Sequence, residues 1–211
     1  MTEPRVGLLD EVARYYGQRL AAHGETPGGV DWNGEAGQHL RFAQLARVFD
    51  RASGFSVNDL GCGYGALVDF LRAGWADVRY AGFDVSSDMV AAATRRYRAD
   101  PAARFACAGV PDEIADFGVA SGIFNVRQAR PDDQWLDYIH ATLDALHETS
   151  QRGFAFNCLT RYSDADRMRP DLFYADPCAL FDRCKQRYAR DVALLHDYGL
   201  YEFTILVRKT P

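Results

Sequence analysis

The stretch Val57-Asn58-Asp59-Leu60-Gly61-Cys62-Gly63-Tyr64-Gly65 decides the fold. A short apolar run from Phe55 to Leu60 reads as a strand, glycines follow at every second position, and Ala66–Ala73 then carries a helical pattern. Strand, glycine turn and helix start are the layout of a nucleotide-binding turn, because glycines let the backbone approach a ligand that would collide with Cβ atoms. The spacing is G-x-G-x-G rather than G-x-G-x-x-G, and Asp59 precedes the first glycine by two. A second acid, Asp84, ends the next apolar run, Tyr80-Ala81-Gly82-Phe83-Asp84. It lies 23 residues past Gly61, where a carboxylate can accept both hydroxyls of a ribose. A mere loop cluster of glycines with a capping Asp would leave that agreement of position and partner unexplained.

Downstream, strand and helix patterns alternate. Strands are expected at Val78–Phe83, Arg104–Ala108, Phe117–Phe124 and Phe154–Leu159, with helices at Ser87–Arg98 and Asp132–Thr149. Strands separated by helices of this length pair in parallel through right-handed crossovers. Asp176-Pro177 supplies an N-cap and a first helical proline, starting a helix that runs to about Tyr188. Val192–His196 and Leu200–Arg208 are joined tightly by Asp197-Tyr198-Gly199, too short for a crossover, so this pair must be antiparallel. Upstream, Leu8, Leu9, Val12, Tyr15, Tyr16 and Leu20 form one apolar helical stripe that stops near His23-Gly24. Pro27-Gly28-Gly29 is a flexible connection, and a second helical pattern covers Gly34 to Ala52 with Leu40, Leu45, Val48 and Phe49 facing one way. The division expected is a helical cap over 1–53 and one compact α/β unit over 54–211.

The bulk properties agree with a single domain. The chain has 211 residues, 48% hydrophobic and 25% charged, with no low-complexity run, which disfavours disorder, collagen-like repeats and coiled coil. A net charge of -5 argues against general nucleic-acid binding, which wants a basic footprint. Five cysteines without a C-x-x-C pair read as reduced, mostly buried thiols. The first residues have no apolar signal core, and no stretch approaches the ~20 apolar residues needed to cross a bilayer. A cytoplasmic protein, monomer or homodimer and without a membrane partner, is expected. His140 and His147 sit seven apart on a helix without acidic partners at ligand spacing, so no metal site is expected.

Asp59-Leu60-Gly61-Cys62-Gly63-Tyr64-Gly65 resembles the first motif of the class I S-adenosylmethionine-dependent methyltransferases. Gly82-Phe83-Asp84-Val85-Ser86 resembles their second motif, and Phe117–Phe124 their fourth-strand motif. The resemblance covers about residues 50–211. It implies a Rossmann-like three-layer sandwich, with a mainly parallel seven-stranded sheet whose last strand is antiparallel, and S-adenosylmethionine as cofactor. It further implies that Gly61 and Gly63 lie against the methionine and ribose portion, Asp59 near the amino group, and Asp84 on the ribose. Val85 and Met89 would flank the adenine, and Ser121 and Gly122 would line the methionine end. Many relatives carry an acid after the third strand; here Cys107-Ala108-Gly109-Val110-Pro111 stands instead, so backbone groups around Ala108–Val110 are expected at the adenine edge.

A sulfonium methyl is already activated, so the reaction mainly needs a nucleophile held in line with the S–CH3 bond in a dry pocket. Three segments outside the cofactor motifs are candidates for the acceptor. In the first, Tyr15, Tyr16 and the loop Gly29-Val30-Asp31-Trp32-Asn33 either close a lid or form a packing stripe. In the second, Asn125 follows the fourth strand and either orients an acceptor or caps a turn. The third runs from Asn157 to Tyr174. It interleaves Arg161, Arg167 and Arg169 with Tyr162 and Tyr174, a composition suited to a planar or anionic small molecule unless the arginines are simply solvated. His196, beside Asp197, is the place to look for a base, with ordinary hairpin chemistry as the alternative. In such folds the turn between the final strands often lies on the face away from the cofactor.

The expected activity is therefore methyl transfer from S-adenosylmethionine to an oxygen or nitrogen of a small-molecule acceptor, with Asn125 and His196 as catalytic candidates and Tyr16, Trp32, Arg161 and Tyr162 as substrate contacts. No Asn/Asp-Pro-Pro-Tyr/Phe tetrapeptide follows the fourth strand, where Ser121-Gly122-Ile123-Phe124 stands. Protein or tRNA methylation, and a non-catalytic cofactor-binding protein, are the alternatives.

Overall fold

Strand β1 (Ser56–Leu60) is buried at every position but its first, so it can only be central. The computed structural model, which describes residues 3–209, places it between β2 (Arg79–Asp84) and β4 (Ala115–Ala120), parallel to both. Asp59 is in register with Gly82 on one side and Val119 on the other. Strand β3 (Ala103–Cys107) extends the sheet beyond β2, and β5 (Ser150–Leu159) extends it beyond β4. The seven strands run in the order β3-β2-β1-β4-β5-β7-β6, with β7 (Glu202–Arg208) antiparallel to both β5 and β6 (Asp191–Leu195). Successive strands leave β1 toward β2 and β3, then return to β4 on its other side. This reversal opens a crevice at the carboxyl ends of β1 and β4, where open α/β sheets take their ligands.

Side chains alternate across the sheet and feed two cores. Leu60, Phe83, Phe154 and Phe156 pack on one face with Trp135 and Ile139 of α5 (Asp132–Glu148). Val57, Val119 and Ala155 pack on the other with Leu67 and Leu71 of α3 (Ala66–Gly74). Helices α4 (Ser87–Arg96) and α6 (Pro177–Arg187) complete the outer layers, each started by a side-chain cap: Ser86 accepts from the Met89 amide, and Asp176 from those of Cys178 and Ala179.

The N-terminal helices join these cores from opposite faces. Leu8 and Leu9 of α1 (Glu3–His23) belong to the cluster of Phe83 and Trp135, whereas Phe42 and Leu45 of α2 (Glu35–Ala46) belong to that of Val57 and Val119. The connection between them, a 3-10 turn over Pro27–Val30 followed by Trp32, passes over the carboxyl edge of the sheet, with Val30 against Gly63 and Trp32 against Gly122.

Several boundaries differ from the sequence expectation: β5 starts at Ser150 rather than Phe154, and three others bear on the path of the chain. Helix α2 ends at Ala46 rather than Ala52, because the amides of Val48 and Phe49 tighten onto Leu45 and Ala46 and turn the chain. Strand β4 stops at Ala120, since Gly122 adopts φ +77° and bends Ser121–Phe124 out of the sheet. The final strand starts at Glu202, which lengthens the hairpin connection. That connection also lies on the cofactor side rather than away from it: Leu159, at the carboxyl end of β5, is in register with Glu202.

Among the described residues no helix is long and apolar enough to cross a membrane. Cys62, Cys158 and Cys184 are buried thiols, while Cys107 and Cys178 are exposed.

Candidate active site

Two cavities open at the carboxyl edge of β1 and β4. The first, about 860 Å³ with its mouth included, is built on the glycine turn. Gly61 has φ +78°, and a Cβ there would stand 1.9 Å from Cγ2 of Ile123, so only glycine fits. Ile123, which the sequence reasoning passed over, thus occupies the space attributed to a ligand. Asp84 is the turn's buried anchor: its Oδ2 accepts from the amide of Gly63 at 2.9 Å and its Oδ1 from that of Ser86 at 2.9 Å. Burial pushes its carboxyl above the usual range, and these backbone donors oppose the rise. Asp59 accepts a hydrogen bond from Tyr80 Oη at 2.6 Å. Burial, reinforced by Asp84 and opposed by Tyr80, pushes its carboxyl up to about 7. Ser121 Oγ is buried with no hydrogen-bond partner in the protein, an unspent polar group at the end of β4.

Asp59, Gly61, Gly63, Asp84, Val85, Met89, Ser121 and Gly122 all line this first cavity. Val110 does not; Ala108 and Gly109 line it instead, because the Ala108 amide bonds to the carbonyl of Asp84 and draws that part of the loop inward. The cap supplies Leu9, Val12, Gln38 and Phe42, of which the last two carried no sequence signal beyond their helical position.

The second cavity, about 1370 Å³ with its mouth, lies toward β5 and β7. Tyr16, Val30, Trp32 and Gly122 line both cavities, which adjoin there. Burial followed by the charge of Asp31 raises the pKa of Tyr16, so it stays a neutral phenol. Asn125, buried and lining the second cavity, accepts from the Leu159 amide at 3.1 Å through Oδ1 and leaves Nδ2 unspent.

The remaining predicted residues fall outside. Arg161 points away to pair with Asp176 at 2.7 Å, and Tyr162 is 64% exposed. His196 is exposed beside the rings of Tyr162 and Phe203 and lines neither cavity. From the same loop it is Arg167, Arg169 and Tyr174 that reach the second cavity. Arg41 and Glu202 also line it and were not foreseen: Arg41 donates to Glu202 through Nε at 2.9 Å and Nη2 at 2.6 Å. The signal available was a lone Glu opening the otherwise apolar run Phe203–Val207.

The arrangement defines a nucleotide-binding α/β scaffold with a ribose-type carboxylate and an adjoining acceptor chamber. The residues present suit an adenosyl and methionyl group: a paired carboxylate at the end of β2, an unspent hydroxyl at the end of β4, and apolar Val85 and Met89 between.

Comparison with known proteins agrees. The family described as a methyltransferase domain matches residues 57–152. Rv1506c of Mycobacterium tuberculosis, a methyltransferase by provisional name, is 61% identical over 163 residues, covering 77% of this chain and 98% of its own length. Among solved structures, DhpI in complex with S-adenosylhomocysteine superposes with a TM-score of 0.67 at 18% identity, over 97% of this chain and 98% of that one. The N-methyltransferase NodS of Bradyrhizobium japonicum, also with S-adenosylhomocysteine, gives 0.67 at 14% identity over 94% and 98%. The chain belongs to the S-adenosylmethionine-dependent methyltransferases, and S-adenosylmethionine is its cofactor.

Proposed function

We propose that this enzyme methylates an oxygen or nitrogen of a small molecule, with the cofactor in the first cavity and the acceptor in the second. The observation that carries this reading is the adjacency of the two cavities, which share Tyr16, Val30, Trp32 and Gly122 in their linings. A chamber roofed by the cap suits an acceptor that enters whole, rather than a strand or chain lying across an open face.

When bound, the cofactor supplies a methyl group activated by its sulfonium charge. Asp84, already fixed by two amides, would accept the ribose hydroxyls, Val85 and Met89 would flank the adenine, and Asp59 and Ser121 would serve the methionine end. That methyl would be open to the acceptor's lone pair, the C–S pair staying with sulfur, and the acceptor's proton would leave to water through the open mouth. Asn125 Nδ2 and the neutral Tyr16 hydroxyl orient the nucleophile, and Trp32 excludes water from the transfer path.

Incubating the enzyme with methyl-labelled cofactor and a cell extract split at about 1 kDa tests the acceptor class. Label should enter the small-molecule fraction, and label confined to the protein or RNA fraction would refute it.

A further inference from the structure

The hydrogen-bonding inventory of the second cavity is lopsided. Its two carboxylates are spent. Glu202 accepts from both Nε and Nη2 of Arg41 and from Asn157 Nδ2 at 3.0 Å. Asp31 accepts from Tyr15 Oη at 2.9 Å, pairs with Arg19 at 3.1 Å and faces Arg169 at 3.6 Å. A protonated amine entering the chamber therefore meets no free carboxylate.

Donors, by contrast, remain. Asn125 uses only its Oδ1. Tyr174 Oη accepts from the Arg169 amide at 2.8 Å and keeps its own proton to give. Arg169 spends one edge on Asp171, while its Nη1 lies 3.6 Å from Asp31, so it is the more fully paired of the two loop arginines. Arg167 has only its chain neighbour Asp166, at 3.9 Å, and the two side chains are 69% and 81% exposed, so that contact holds it weakly. Three arginines, Arg41, Arg167 and Arg169, line the chamber against two acids, Asp31 and Glu202, and of the three Arg167 is the least firmly paired.

We propose, on the two-chamber reading above, that the acceptor carries an anionic group, a carboxylate or a phosphate. Arg167 and Tyr174 hold that group, with Arg169 adding its charge beside them, and the acceptor's nucleophile faces Tyr16 and Gly122. Guanidinium pairs suit these anions because they present several donors in a plane. The nucleophile is then a neutral hydroxyl or amine, since neither carboxylate of the chamber is free to pair with an ammonium.

The test titrates enzyme loaded with S-adenosylhomocysteine, by calorimetry, with 4-hydroxybenzoate and with its neutral isostere 4-hydroxybenzamide, using inorganic phosphate as competitor. The acid should bind at least ten-fold more tightly than the amide, and phosphate should displace it. Arg167→Ala should weaken the acid at least ten-fold and Arg167→Lys less, both leaving S-adenosylhomocysteine affinity within two-fold. Arg187→Gln, remote on α6, should change neither. Equal affinity for acid and amide, no binding of the acid, or an Arg167→Ala variant indistinguishable from wild type overturns the proposal. An RNA oligomer that binds more tightly than phosphate overturns its small-molecule form. Failure of S-adenosylhomocysteine itself to bind would instead remove the two-chamber reading beneath it.

Discussion

The indole of Trp32 lies directly against the backbone of Gly122, so close that a Cβ at 122 would stand 2.3 Å from its Cζ2. Gly122 also has φ +77°, a conformation that costs an L side chain about 1–2 kcal/mol. Gly122→Ala should therefore destabilise the protein by about 2–4 kcal/mol, combining that backbone cost with overpacking against the ring. Adding Trp32→Ala removes the collision but not the backbone cost. The double variant should then be less destabilised than the two single effects summed, as read from urea denaturation. Strict additivity would mean that ring and backbone do not touch.

Asp84 serves the turn before it serves a ligand. Asp84→Ala strips the acceptor from the amides of Gly63 and Ser86, and leaving such buried donors unpaired costs about 1–3 kcal/mol each. The same change removes the proposed ribose acceptor, so S-adenosylmethionine affinity should fall about a hundred-fold or more by calorimetry. Full retention of affinity in a folded variant would displace the cofactor from this site.

Asp59 gives the ligand-free enzyme an unusual pH response. Its folded-state carboxyl titrates at about 7, against 3.8 for a free aspartate. Between those values the folded state holds a proton that the unfolded state has released, so this contribution to stability is greatest below pH ~4 and is lost as pH rises to about 7. Tyr80 and Cys62, the neighbouring groups, are held neutral by burial, while Asp84 shares the upward push. Unfolding free energy measured from pH 5 to 8 should fall along this curve, and Asp59→Asn should flatten it. If Asp59 receives the cofactor's ammonium group, affinity for S-adenosylhomocysteine should rise over the same range, because the ligand favours the carboxylate.

The cofactor chamber was legible in the sequence because its parts are contiguous. Asp59, Gly61 and Gly63 sit on one strand and its turn, Asp84 and Met89 on the next strand and helix, and parallel pairing of β1 with β2 brings them together. Val110 stands one residue past the lining, for the inward pull on Ala108 is a hydrogen bond that no pattern announces. The acceptor side depends on contacts between distant elements. Composition marked the loop of Arg161, Arg167 and Arg169, but which arginine faces inward is settled by the short 3-10 turn at Ala165–Arg167 and by the Asp176 partner of Arg161. His196 looked catalytic by residue type alone, and its solvent exposure is a tertiary fact.

The least legible contact is the pair Arg41–Glu202, 161 residues apart. Glu202 is only 1% exposed and Arg41 only 12%, and the guanidinium stacks over Trp32 with its carbon 3.8 Å from the ring centroid. The pair ties α2 to β7, and through Asn157, whose Oδ1 accepts from the Gly122 amide at 2.7 Å, it reaches the lining that the two cavities share. Removing one partner strands the other charge away from water, so Glu202→Ala should cost about 3–5 kcal/mol. Replacing both by apolar side chains, Arg41→Met with Glu202→Met, removes the stranded charge and should cost far less than either single change suggests. Trp32 emission should shift in both variants, because both remove the charge pair that holds Arg41 over the ring, while Trp75 and Trp135 stand elsewhere in the cores. Equal and additive losses for the two single substitutions would show that they do not act as a pair.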